Sequence, residues 1–440
     1  MRVTLDANLR VHDPGPHLRR LCAMARWQST AGMVRRVVRL WRWDEAAGTL
    51  TLPRGLWPLP PDMGPFEVED NRLTLPEVSF GWRGPALDGF QKRAAGKLYR
   101  NAAGMLIAPG GCGKTLMALR CVAAWKQPAL WVVDSASLAD QALSVAQRVF
   151  RLPASAYGTI ADGEYRPGTH FTVGLRQTLI TAGRRRDCAQ RFGAVFCDEL
   201  DLSASRTYVR VLCRFPAAIR AGCTATPDRA DNLHPVVTAV FGAPRVRVSL
   251  REAQAAGRFV PPRLVTRQTR RRYSWGGNYP ALQADRAADH ERNRMIALDV
   301  AREVRGGHAC LVLVQLLDHA AAMVGALRSV GVRPLVVTGK VAASKRERTL
   351  DAIRQGSRCL VATKLVNRGV DLPVIDRVFL ADSYRAAPTV EQQVYRVTRT
   401  DGRKRDAVVF DYWDDCDQFR SQAEARRRLF VSKGWRVDGA

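Results

Sequence analysis

The chain has 440 residues, enough for two or three domains with cores of their own. Hydrophobic residues at 46% and charged residues at 25% exclude a disordered tail, and the most apolar run, "ACLVLVQLL", is too short to span a bilayer and contains Gln315. Lys plus Arg number 69 against 41 acids, a formal charge of +28, which points to a polyanionic partner and first to nucleic acid.

The N-terminus, "MRVTLDANLR", lacks the apolar stretch of a signal peptide, so a cytoplasmic location without membrane contact is expected. Ten cysteines with no Cys-x-x-Cys pair, and seven histidines with no ligand spacing, predict reduced thiols and no zinc. Only nine of the 69 bases are lysine. A base-composition bias explains arginine over lysine; it does not explain bases over acids.

Residues 1–80 read as a small N-terminal accessory domain rich in Trp, Pro and Arg, with a proline-laden exit. Within it Arg35, Arg36, Arg39 and Arg42 stand near Trp41 and Trp43. They form either a base-stacking, phosphate-binding face or the solvated rim of a packed core. From 81 to 250, strand-like runs ("GMLIA", "ALWVVD", "AVFCDE", "AIRAGCTAT") alternate with helical patterns such as "SLADQALSVAQRVF". That alternation predicts a parallel sheet wrapped by helices. Residues 251–290 break the rhythm: six arginines fall between Arg258 and Arg272 with no acid among them, as in an interdomain linker or a protrusion gripping duplex DNA. From 291 to 440 the alternation resumes with "ACLVLVQ", "RPLVVTG", "RCLVATK", "DRVFLAD" and "DAVVFDYWD". Arg426, Arg427 and Arg428 are expected on a solvated face of the last helix. The fold class is α/β, with two similar parallel-sheet domains in tandem.

The chemistry begins at "APGGCGKT", Ala108 to Thr115, between a strand-like run and a helix-like one. In that setting backbone N–H groups around Gly110, Gly111 and Gly113 can converge on phosphate oxygens at a helix N-terminus. Lys114 supplies a point charge to the β- and γ-phosphates, and the Thr115 hydroxyl a ligand for Mg²⁺. A second apolar strand ends in "DELD", where Asp198 would hold Mg²⁺ and Glu199 would orient and deprotonate an attacking water. ATP and Mg²⁺ are the cofactors these residues call for.

With these motifs in order, the stretch from about 85 to 440 resembles superfamily 2 helicases, which are built on two RecA-like domains. Their phosphate loop often begins with alanine, as Ala108 does here. "LDGFQ" is similar to the family's adenine-reading motif, which assigns Gln91 to the base; Asp88 and Phe90 replace the usual Arg and Tyr. "SASLADQAL" and "TVGLRQTL" resemble motifs that line the nucleic-acid track, the latter including Arg176. "CTATPDRAD" implies that Thr224 and Thr226 couple the γ-phosphate to that track. In the second domain "LVLVQLLDHA" resembles motif IV. "ATKLVNRGVDLP" implies that Thr363 meets a backbone phosphate while Gly369 and Asp371 face the ribose and the cleft. "QQVYRVTRT" matches motif VI at Gln392, Arg396 and Arg399, with Tyr395 in place of a glycine. Two arginines three apart share a helix face, so both guanidiniums could serve as fingers on the γ-phosphate.

The Thr-Ala-Thr-Pro form and "LREAQAAGRFVPP" place the resemblance in the XPB/UvsW branch of DNA helicases, where a thumb-like insertion occurs near 251–290. The implied function is ATP-driven movement on single-stranded, duplex or branched DNA in repair, recombination or replication. An RNA helicase and a nucleic-acid-clamping ATPase that does not unwind remain open. A nuclease-bearing restriction motor lacks a Pro-Asp…Glu-x-Lys pattern.

Overall fold

The strand-like runs fold into parallel sheets covered by helices. The computed structural model describes all residues except 30–35, 183–185, 201–203, 226–231, 340, 342, 364–371, 373, 383–389, 391–393, 395–403, 405 and 439–440. It comprises two compact units, Met1–Glu252 and Ala253–Ala440. No described helix is long and apolar enough to cross a membrane.

The first unit opens with β1 (Arg2–Leu5), β2 (Leu9–His12), β3 (Arg26–Ser29), β4 (Arg36–Arg39), β5 (Arg42–Asp44), β6 (Thr49–Leu52) and β7 (Glu67–Asp70). Five of these form a sheet in the order β5-β6-β2-β1-β7, and β3 and β4 pair as a hairpin. Alternation along the strands puts Val3, Leu5, Leu9, Val11, Leu50 and Leu52 on one face, packed with Leu21 into a small core. Residues 1–80 thus have a core of their own, yet they lie within the first unit. Two buried arginines tie them in: Arg54 donates to the carbonyls of Asp6 (2.9 Å) and Ala217 (2.8 Å), and Arg220 to those of Ala7 (2.8 Å) and Phe215 (2.9 Å).

The main sheet of this unit contains β8 (Ala103–Ile107), β9 (Ala129–Val133), β10 (Tyr157–Ala161), β11 (Glu164–Arg166), β12 (Phe171–Leu175), β13 (Ala194–Asp198), β14 (Ile219–Thr224) and β15 (Pro244–Arg247). Their order is β11-β10-β12-β9-β13-β14-β8-β15, parallel except for the β10–β11 pair. Burial on both faces explains the unbroken apolar run of β9, and β12 is likewise buried along its whole length. Parallel pairing also brings the carboxyl ends of β8, β14 and β13 side by side at one edge, where open α/β sheets bind ligands.

The second unit has β16 (Pro262–Arg272), β17 (Cys310–Leu313), β18 (Leu335–Val337), β19 (Cys359–Ala362), β20 (Arg377–Leu380), β21 (Ala407–Asp415) and β22 (Val437–Asp438). They lie parallel in the order β18-β19-β17-β20-β21-β16-β22. Two expectations need correction here. The Arg-rich stretch is neither a linker nor a protrusion: residues 262–272 are an inner strand, pairing with β21 from Pro262↔Ala407 to Gln268↔Trp413. Its arginines disguised the pleat, because the acids that pair with them are remote in sequence: Asp438 with Arg263 (2.8 Å) and Asp285 with Arg271 (2.8 Å). Nor is Arg426 solvated. It is 2% exposed and grips the buried Asp411 from the helix Asp417–Ser432 at 2.8 Å.

Candidate active site

The phosphate loop joins β8 to the helix Lys114–Trp125. Gly111 (φ +85) and Gly113 (φ +79) adopt left-handed backbone that only glycine takes without strain. A Cβ on Gly113 would also stand 2.7 Å from Gln91 Nε2. Ala108 is fully buried and its N–H donates to the Thr224 carbonyl at 3.1 Å, so the alanine at the head of the loop is a packing residue wedged against β14. Lys114 Nζ donates to the Pro109 carbonyl at 3.4 Å and so lies over its own loop. Gly110 is buried within the loop, and Thr115 is half-buried one residue into the helix.

Gln91 has a second task. Its Oε1 accepts the Asp88 N–H (3.0 Å), completing a capping box on the helix Gly89–Asn101, and its Nε2 donates to the Cys112 carbonyl (2.9 Å). The residue expected to meet adenine is 2% exposed and braces the loop from behind. One N–H and one lone pair of the carboxamide remain for a ligand.

The acids stand one strand beyond β14. Asp198 ends β13, and its Oδ1 accepts the Glu199 N–H (2.9 Å) and the Cys223 thiol (3.2 Å). Burial, and then the charge of Glu199, push the Asp198 carboxyl up to about 6, against the pull of the Cys223 thiol and the Lys114 ammonium. Glu199 has φ +55, a conformation that costs a non-glycine residue on the order of 1–3 kcal/mol and that clusters at functional sites. Thr224, at the end of β14, is 2% exposed. Thus the sheet brings the loop, Lys114, Thr115, Asp198, Glu199 and Thr224 to one edge. The donor set suits a nucleoside triphosphate with a divalent cation: loop N–H groups and an ammonium for phosphates, and a hydroxyl with an adjacent pair of acids for the cation. The thiol of Cys223 was missed in the sequence, where "GCT" carries no signal of its contact with Asp198.

Of the expected nucleic-acid residues, Arg176 is half-buried. Its Nε donates to Asp134 Oδ1 (2.7 Å) and its guanidinium lies 5.3 Å from the Tyr208 ring centre, so it ties the end of β9 to the helix that it opens. Thr363, just past β19, is 5% exposed and its hydroxyl has no partner among the described residues. Thr226, Gly369, Asp371, Gln392, Arg396 and Arg399 lie outside the described residues. One group among those described could hold a metal: His308, Asp376 and Asp406. The Arg377 guanidinium sits among them, 2.8 Å from His308 Nε2 and 3.1 Å from Asp406, so the cluster is already neutralised.

Two family descriptions match the chain: the type III restriction enzyme res subunit over residues 85–229, and the helicase conserved C-terminal domain over 293–401. The DNA 3'-5' helicase XPB of Kineococcus radiotolerans is 23% identical over 394 residues, spanning 86% of this chain and 68% of that protein. The XPB of Mycobacterium tuberculosis is 23% identical over 398 residues, spanning 86% and 69%. In fold, the chain resembles S. cerevisiae Dbp5 bound to RNA and ADP BeF3, at TM-score 0.58 and 19% identity over 80% of this chain and 89% of that one. The Pyrococcus furiosus Hef helicase domain is also similar, at TM-score 0.52 and 14% identity over 76% and 96%. These structures carry the same tandem RecA-like architecture. With both conserved helicase regions matched in order and XPB helicases aligned along most of its length, the chain belongs to the superfamily 2 helicases of the XPB type.

Proposed function

We infer that the protein hydrolyses ATP to move on or remodel DNA, in repair or recombination. The observation that carries this reading is the single edge at which the Lys114 loop, the Asp198–Glu199 pair and Thr224 meet, on adjacent parallel strands. DNA is favoured over RNA because the XPB relatives are named DNA helicases, and the +28 charge suits either polyanion.

Each residue then has one task. Loop N–H groups and the Lys114 ammonium hold the triphosphate; for Lys114 this means leaving the Pro109 carbonyl. Thr115 and Asp198 would hold Mg²⁺, which when bound neutralises phosphate charge. Glu199 takes the proton of the attacking water as the bond to the leaving ADP breaks. Thr224 sits between loop and acids, placed to relay the state of the phosphate site along β14. Arg396 and Arg399 are proposed to stabilise the transition-state charge, and Gln392, Gly369, Asp371, Thr226, Thr363 and Arg176 keep the roles that their motifs imply.

The deciding experiment is ATPase stimulation by single-stranded, duplex and forked DNA and by RNA at one fixed salt concentration. Stimulation by DNA, greatest on forked or duplex substrates, is the expected result; stimulation by RNA alone would overturn the choice of substrate.

A further inference from the structure

A groove of about 460 Å³ opens on the N-terminal region, between the helix Leu18–Met24, the β3–β4 hairpin and β5. It is lined by Arg19, Arg26 and Arg39 together with Trp41 and Trp43. Among the described residues, the three exposed arginine side chains make no ion pair or hydrogen bond, and no acid lines the groove. Arg26 and Arg39 are direct cross-strand partners on the hairpin, where like charges repel. An arrangement that holds cations together over an aromatic wall, with nothing to neutralise them, is built for an anion that also has a flat apolar face. The two tryptophans are half-buried and also pack against the small core, which holds them in place.

We propose that this groove binds single-stranded nucleic acid, with one or two bases stacked on Trp41 and Trp43 and the flanking phosphates held by Arg19, Arg26 and Arg39. The occupant is single-stranded because a duplex hides its base faces within the stack, whereas unpaired bases offer them to aromatic side chains. An acidic peptide would satisfy the arginines but leave the indole faces without a partner. The groove is a second grip, remote in sequence from the helicase motifs. It rests on the nucleic-acid reading given above and not on the hydrolytic chemistry.

The test uses the full chain without nucleotide and a fluorescein-labelled dT12, followed by anisotropy between about 50 and 200 mM salt. Arg26→Glu/Arg39→Glu should weaken binding at least tenfold and flatten the log–log salt slope by about 1.4, since each single-strand phosphate contact contributes about 0.7. Trp43→Ala should weaken binding about 5- to 100-fold, as expected for loss of one stacked base, with the salt slope unchanged. ATPase activity at saturating forked DNA should stay within twofold of wild type in both variants. Trp43 also touches the small core, so the double arginine variant, at two exposed positions, decides the matter if Trp43→Ala does not fold. Unchanged dT12 affinity and slope in Arg26→Glu/Arg39→Glu would overturn the groove while leaving the helicase reading intact. Loss of poly-Glu binding in that variant, with dT12 binding retained, would also overturn it and assign the groove to an acidic protein. Failure of the wild-type chain to bind any nucleic acid would instead remove the functional reading itself.

Discussion

The two main sheets share parallel topology but treat the carboxylates at their carboxyl ends in opposite ways. In the first unit Asp198 has, among the described residues, a thiol and one backbone N–H for partners, a neighbouring acid, and a carboxyl pushed up to about 6 by burial and by Glu199. In the second, Asp382 just beyond β20 accepts from Arg286 Nη2 (2.7 Å) and the Gln315 N–H, and His319 Nδ1 stands 3.0 Å away. Burial alone would raise its carboxyl, but the adjacent His319 ring and the Arg286 guanidinium hold it well below the usual range. Asp414 near the end of β21 is bound by Arg292 through Nε (2.7 Å) and Nη2 (3.1 Å), and by Thr269 Oγ1 (2.9 Å). Arg286 lies 4.0 Å from the Phe419 ring centre, which closes the network. An acid left short of cations at a strand end marks where a cation and a phosphate belong. An acid saturated by buried arginine marks a joint.

The comparison can be broken or sharpened by substitution. The largest effect is expected from Lys114→Ala: no measurable ATPase, with most DNA binding retained. Binding lost together with turnover would show that the basic surface is not the main grip. Next, Arg399→Ala should lower DNA-stimulated turnover by about 10³ or more, as for other arginine fingers; wild-type rates would remove it from the reaction. In the second unit, Asp414→Asn leaves Arg292 buried without its counter-charge and should cost about 3–5 kcal/mol in the denaturant transition of that unit. A cost below about 1 kcal/mol would mean that the joint is dispensable.

The smallest effect carries a sign. Because the folded carboxyl of Asp198 titrates above its unfolded value of 3.8, the folded state holds the proton more tightly. Stability is therefore lost as pH rises from about 4 through about 6. Asp198→Asn should accordingly stabilise the nucleotide-free protein at pH 7 by roughly 1–3 kcal/mol, with the gain vanishing near pH 4. Thermal melts across that range would read it, and a destabilised variant at pH 7 would refute the raised value.

Much of the first site was legible because its signals are local. A strand, a glycine-rich turn and a helix adjoin in sequence at Ala108 to Thr115, and the expected helix coincides with Lys114–Trp125. "AVFCD" likewise reads as a buried strand ending in an acid, and β13 ends at Asp198. Gln91 was found by its motif, but its brace on Cys112 depends on a turn 21 residues away that no local pattern announces. The arginines misled most. Composition alone made the stretch around β16 look like a linker and Arg426 look solvated, because an arginine's partner decides its burial and those partners lie elsewhere in the chain.

Local periodicity and turn chemistry by themselves determined the α/β class, most of the strands and the phosphate loop, since backbone geometry is written in residues that are neighbours. Tertiary structure alone decided which arginines are buried joints and which stand free over Trp41 and Trp43. It also set the titration of Asp198 and the backbone strain at Glu199. Charge acts through space, and the sequence does not state which charges will meet.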